Sequence, residues 1–138
     1  MIVEVREEEI TVMEAVERLQ KQGAGAIVSF AGIVRPEENG QTIHSIYYEA
    51  YVSMAKRKFE QIILECSSKG VIDVVVLHRT GVVPVGETSV VVAVSSFHRK
   101  EAFETCEKIM DRMKKEVPIW KKYTGEREEW HSAREKRE

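Results

Sequence analysis

The sequence predicts an α+β fold, helices packed on a largely antiparallel sheet, and three observations carry that reading. Strand-like and helix-like apolar periodicities follow one another in the order β-α-β-β-α-β-β-α, with adjacent strands that hairpins can join. No internal repeat or linker-like tract interrupts them. The chain has 138 residues, enough for one domain with a substantial core and too few for two. A single domain over residues 1–138 is therefore expected.

Each element has a local reason. Ile2 to Val5 alternates like a short strand. Thr11 is a plausible N-cap for a helix running to about Gln22, buried through Val12, Ala15, Val16 and Leu19 and stopped by Gly23. Ala24 to Val34 is β-rich, and Arg35 lies where that strand emerges into the loop PEENGQT. Its Asn39-Gly40 pair signals a turn into the strand Ile43 to Tyr51. Ser53 to Ser68 is helical through Ala55, Phe59, Ile62, Ile63 and Cys66, and Lys69-Gly70 ends it. Val71 to His78 and Thr88 to Ser95 are the most strand-like runs, joined by the connection TGVVPVGE. The last helix begins near Phe97, with Ala102, Phe103, Cys106, Ile109, Met110, Met113 and Val117 as its core stripe. Pro118 forbids its continuation, and a short irregular tail is expected beyond it. Trp130, among charges, suggests that this tail docks.

Composition removes several classes of function. At 43% hydrophobic, 32% charged and net charge −2 the chain reads as globular, with no support for nucleic acid binding. Even the region from His98 onward holds 12 Lys and Arg against 10 Asp and Glu, so positive potential must be local to a site. No run approaches a membrane span and MIVEVREEEI lacks signal-peptide character, which makes the cytoplasm the expected location. Cys66 and Cys106 sit on apolar helix faces without CxxC spacing or a nearby His, so both read as packing residues. GAGAIVSFAG follows a helix and opens a strand, the reverse of a phosphate-binding glycine loop. Walker, GxSxG and HExxH patterns are missing from the sequence, and neither a metal nor a cofactor is expected. Chemistry must come from Lys, Arg and His.

Those residues gather at element ends. His98 and Arg99 open the last helix, an unfavourable place for cations unless a ligand or a carboxylate stands near. Lys114 borders the buried stripe, where an apolar wall and neighbouring cations favour an amine acting as nucleophile or base, and Lys121 follows Pro118 by three. Arg35 is a third cation at an element end, with a salt bridge to Glu37 or Glu38 as the plain alternative. His78-Arg79, at a strand end, reads as structural. Arg99 and Lys114 are 15 residues apart, ~22 Å along a straight helix, so one small anionic ligand meets both only if a second copy supplies one set. The same cations would also suit a non-catalytic dimer that holds a phosphorylated metabolite or a partner's tail.

Five ordered strings, FAGIVR, YYEAYVSMA, LHRTGVVPVGE, SSFHRKEAF and VPIWKK, resemble the large, catalytic subunit of molybdopterin synthase from about Gly23 to Arg134. The resemblance implies an α/β-hammerhead fold and a sulfurtransferase that converts cyclic pyranopterin monophosphate to molybdopterin. It implies a small ubiquitin-like partner whose C-terminal glycine carries the thiocarboxylate sulfur, and a heterotetramer built on a homodimer of large subunits. Lys114 and Lys121 match the family's essential lysines. Ile33, Val34 and Arg35 match a substrate-contacting segment, and His98 and Arg99 match the pair given by the neighbouring subunit. Lys122 and Tyr123 are grouped with the substrate contacts, although Tyr123 stands where a Glu often occurs, and Arg134 matches a further arginine.

Overall fold

The computed structural model describes residues 1–125 and 129–132. Its elements are β1 (Ile2–Arg6), α1 (Val12–Arg18), β2 (Ala26–Ile33), β3 (Glu37–Glu38), β4 (Gln41–Ala50), α2 (Val52–Cys66), β5 (Val71–Arg79), β6 (Gly81–Pro84), β7 (Thr88–Ser96), α3 (Arg99–Glu116), β8 (Ile119–Gly125) and β9 (Glu129–Ser132). The α+β expectation holds. One sheet has the order β1-β5-β7-β2, antiparallel except for the β1/β5 pair. The second runs β3-β4-β8-β9, with β6 also paired to β4.

The first sheet is covered on both faces, which explains the nearly unbroken apolar runs of β5 and β7. Val74 and Val76 of β5 and Val90, Val92 and Val94 of β7 face a cluster that includes Phe59 and Ile62 of α2 and Ala102, Cys106 and Ile109 of α3. Val75, Leu77, Val91 and Ala93 face the other way, onto Ala15 of α1 and Leu19 at its C-cap. The larger cluster also takes in Ile43, Ile46 and Tyr48 of β4 and Ile119 and Tyr123 of β8, so the two sheets share it.

Local chemistry accounts for most boundaries. Thr11 caps α1 by accepting the Glu14 N–H at 3.0 Å. The helix stops at Arg18, short of Gln22, because tertiary bonds claim the next turn: Asp73 accepts from the Gln20 N–H at 2.8 Å and the Ser95 hydroxyl donates to the Gln20 carbonyl at 2.7 Å. Asn39 and Gly40, with φ of 52° and 76°, form the two-residue hairpin turn between β3 and β4. Gly25 is required for close approach, since a Cβ there would collide with the Phe97 carbonyl. All five residues assigned to the buried side of α2 are buried. Both cysteines are free and buried.

Three expectations are corrected. Phe103 is 60% exposed; the buried side of α3 comprises Ala102, Thr105, Cys106 and Ile109, and Phe103 lies about 100° round the helix from Ala102. The connection TGVVPVGE contains a strand, β6, paired among the described residues to β4 alone, an edge position where Pro84 is tolerated. Among the described residues the tail beyond Pro118 is regular: β8 pairs antiparallel with β4 along Ile119 to Gly125, and β9 pairs with β8. The expected docking of the C-terminal segment is thus a strand pairing that places Trp130 opposite Lys122.

Candidate functional site

A cavity of about 570 Å³ opens where the two sheets meet the C-terminal end of α3. β2 contributes the Phe30 to Ile33 segment, β4 contributes Ile43, Ile46 and Tyr48, and β7 contributes Ser89 and Val90. Phe59 of α2 and Met113 and Val117 complete an apolar wall. Set into it are Lys114, Lys121, Arg35, Glu38, His78 and Tyr123. Three cations and one carboxylate on apolar walls suit a compact anionic ligand with a flat ring system.

The two lysines arrive by different routes. Lys114 lies in the last turn of α3, where the negative end of the helix dipole favours a cation. Val117 then turns extended (φ −81°, ψ 130°), Pro118 holds the break, and β8 begins. Along β8, Ile119 and Tyr123 are buried, and Lys121 shares their side of the strand. Lys121 is the cross-strand partner of buried Tyr48, as Tyr123 is of Ile46. Trp120, Lys122 and Thr124 point the opposite way. Lys122 pairs across the sheet with Tyr47 and does not line the cavity.

The other expected residues divide in the same geometric terms. Ile33 and Arg35 line the cavity, whereas Val34, 2% exposed, faces the core and exchanges backbone hydrogen bonds with Gly86 and Glu87. The Arg35 guanidinium makes the anticipated salt bridge to Glu38 at 2.8 Å, with its side chain 74% exposed. His98 and Arg99 lie at the far end of α3 and are not among the cavity's residues. The carboxylate expected near them is Glu101, which accepts from the His98 N–H at 3.2 Å. Arg134 lies outside the described residues.

His78 is the residue that sequence reasoning set aside. Arg79 is structural as expected, bonded to Glu87 at 2.8 Å and to the Glu7 carbonyl at 3.2 Å. His78, one position along, falls on the Val74 and Val76 side of β5 and lines the cavity. The signal was its parity with those valines. Its Nδ1 lies 2.7 Å from the Arg79 carbonyl oxygen; that oxygen can only accept, so Nδ1 carries the proton. Tyr48 meets the ring edge-on at 5.2 Å and Phe59 lies tilted at 6.4 Å. Burial pushes the His78 pKa down to about 4, the bond to the Arg79 carbonyl opposes this, and the Lys121 charge adds to the lowering.

Comparisons with known proteins agree with this architecture. Residues 5–116 match the family described as MoaE protein. The chain is 43% identical over 121 residues to the molybdopterin synthase catalytic subunit of Thermoplasma volcanium, covering 87% of this chain and 88% of that protein. Its fold matches the crystal structure of molybdopterin synthase from Staphylococcus aureus with a TM-score of 0.88 at 35% identity, over 94% of this chain and 96% of that one. It also matches a chain in the complex of subunits 1 and 2 of molybdopterin-converting factor from Helicobacter pylori, with a TM-score of 0.77 at 25% identity, over 99% and 92% of the two chains. From the extent of these matches, and from a cavity that draws on both sheets and α3, the chain belongs to the MoaE protein family.

Proposed function

We propose that this chain is the sulfur-transferring subunit of a molybdopterin synthase, converting cyclic pyranopterin monophosphate to molybdopterin. The sulfur comes from the C-terminal glycine thiocarboxylate of a small ubiquitin-like partner. The observation that carries this reading is the convergence of Lys114 and Lys121, from a helix end and a strand, on one cavity. Its volume of about 570 Å³ is in the range that holds a small ligand and buries most of its surface.

The roles follow from position. Lys114 and Lys121 polarise the carbonyl of the donor tail, move protons and stabilise the anions that form as thiocarboxylate sulfur attacks the pterin side chain and the cyclic phosphate opens. Arg35 binds phosphate, exchanging its bond to Glu38 for charge-assisted bonds to the ligand. His98 and Arg99 are too far along α3 to serve Lys114 of their own chain, so they serve a second copy's cavity across a homodimer. One small partner at each end of that dimer gives a heterotetramer, working in the cytoplasm. Support for the small partner comes from the Helicobacter pylori relative, which was solved as a complex of two subunits. Neither buried cysteine has to carry sulfur, and burial pushes the Cys106 thiol up to about 11, where it is a poor nucleophile.

The test mixes the chain with precursor and thiocarboxylated partner and follows dithiolene formation. Lys114→Ala should abolish product while leaving the assembly intact. Near-normal turnover by that variant would remove Lys114 from its role.

A further inference from the structure

We propose that Glu38 is a specificity-determining residue of this site: its carboxylate, held on Arg35, weakens the cavity's grip on a doubly charged phosphate more than on a singly charged one. The inference rests on the functional reading above only for which phosphate esters the cavity meets.

Three observations carry it. First, the contact is direct: the Arg35 guanidinium donates to Glu38 at 2.8 Å, and both residues line the cavity. Second, both ends of that bond are tied to the sheets. Val34, beside Arg35, is bonded through its backbone to Gly86 and Glu87, and the Ile43 N–H donates to the Pro36 carbonyl at 2.8 Å. Glu38 itself pairs with Gln41 across the Asn39-Gly40 turn. Third, Glu38 is the one carboxylate among the described residues that line the cavity, set against the cations Lys114, Lys121 and Arg35. Its sequence neighbour Glu37 is exposed and is not among the cavity's residues.

The carboxylate acts on an incoming anion in two ways. Freeing Arg35 from it costs every phosphate alike, whereas the repulsion that remains is proportional to the ligand's charge. A dianion therefore loses more. The size is modest, because the Arg35 side chain is 74% exposed and exposed pairs are weakened by solvent. The two charges correspond to the two sides of the reaction. A cyclic phosphodiester carries one negative charge, and the monoester left when it opens carries close to two at neutral pH. Three cations alone would hold the product harder than the precursor. Glu38 offsets that bias and so favours release once the ring has opened.

The experiment titrates the full chain with phenyl phosphate, a doubly charged monoester, and with methyl phenyl phosphate, a singly charged diester that keeps the flat ring. Dissociation constants are measured by NMR titration at mildly alkaline pH and physiological salt for wild type, Glu38→Gln, Glu38→Asp and Glu37→Gln. Glu38→Asp keeps the charge, and Glu37→Gln makes the same change of net charge outside the cavity. The expected result is that Glu38→Gln binds the diester about threefold and the monoester about tenfold more tightly than wild type. Glu38→Asp should stay close to wild type, and Glu37→Gln should alter neither constant by more than about twofold, since exposed charges are screened beyond about 8 Å. Equal tightening for both esters would overturn the proposal, as would no tightening, an equal response in Glu37→Gln, a Glu38→Asp protein that behaves like Glu38→Gln, or binding of neither ester to any of the four proteins. A wild-type chain that shows the expected pattern and forms no dithiolene from precursor and thiocarboxylated partner would keep the charge selectivity and lose the functional reading.

Discussion

Acid should weaken this fold through one buried ring, and the size of the effect follows from its surroundings. His78 has an ordinary pKa of 6.5 and is pushed down to about 4 in the folded chain, first by burial and then by the Lys121 charge, against the opposing bond to the Arg79 carbonyl. Its folded pKa lies below its unfolded one. The neutral ring therefore contributes stability that is complete above pH 6.5 and is lost as the pH falls toward 4, because the unfolded chain takes up the proton first. Over the whole window that is on the order of 3 kcal/mol, at about 1.4 kcal/mol for each pH unit between the two values. Between pH 7.5 and pH 5 the share lost is about 2 kcal/mol. Urea unfolding at these two pH values, on wild type and on His78→Gln, isolates it. The carboxylates and exposed histidines titrate alike in both proteins and cancel, and so does any pH-independent cost of the substitution. Wild type should lose about 2 kcal/mol more than the variant. Equal losses would show that protonation of His78 is not resisted, and with it that the ring is not held neutral among Tyr48, Phe59 and Lys121.

The parity of β8 predicts that Lys121→Ala lowers turnover at least about tenfold more than Lys122→Ala, as read by initial rates of dithiolene formation. Comparable losses would mean that Lys122 reaches the ligand from the outer face. On α3, Ile109→Ala should cost about 2–5 kcal/mol in denaturant unfolding, since Ile109 is fully buried, whereas Phe103→Ala should cost under about 1 kcal/mol in the isolated chain. A site shared between two copies predicts complementation: Lys114→Ala and Arg99→Ala proteins, each inactive alone, should regain activity when unfolded together and refolded as mixed dimers, because one of the two sites then carries neither substitution. A mixture as inactive as its components would mean that the Arg99 and Lys114 of one site come from the same chain.

Much of the fold was legible because its elements obey one period at a time. The stripe of α2, the Asn39-Gly40 turn and the nearly unbroken apolar runs of β5 and β7 each reflect a local rule that the tertiary structure leaves intact. The end of α1 escapes any local rule, because Asp73 and Ser95, more than 50 residues away in sequence, bind the backbone of Gln20. The lysines, Arg35 and the His98-Arg99 pair stood out because cations at element ends are chemically conspicuous. What the sequence concealed was the strand that brings Lys121 to the cavity.

That concealment has a physical cause. A half-buried strand is recognised when alternate residues are apolar, and β8 fails the test at the position the site requires, because Lys121 stands between Ile119 and Tyr123 on the inward side. Its outward neighbours Trp120 and Lys122 blur the other face. The register with β4 resolves the pattern, since it sets Lys121 against Tyr48, whose ring meets His78, a residue that the same parity brings inward from β5. A strand that turns an ammonium toward a core loses apolar contact there and keeps its place through its neighbours, here the pairing of β8 with β4 along its length and with β9 on its other edge. The departure from pattern and the candidate site are thus one feature. A substitution that restored the pattern, Lys121→Leu, should leave β8 in place while removing one of the two amines from the cavity.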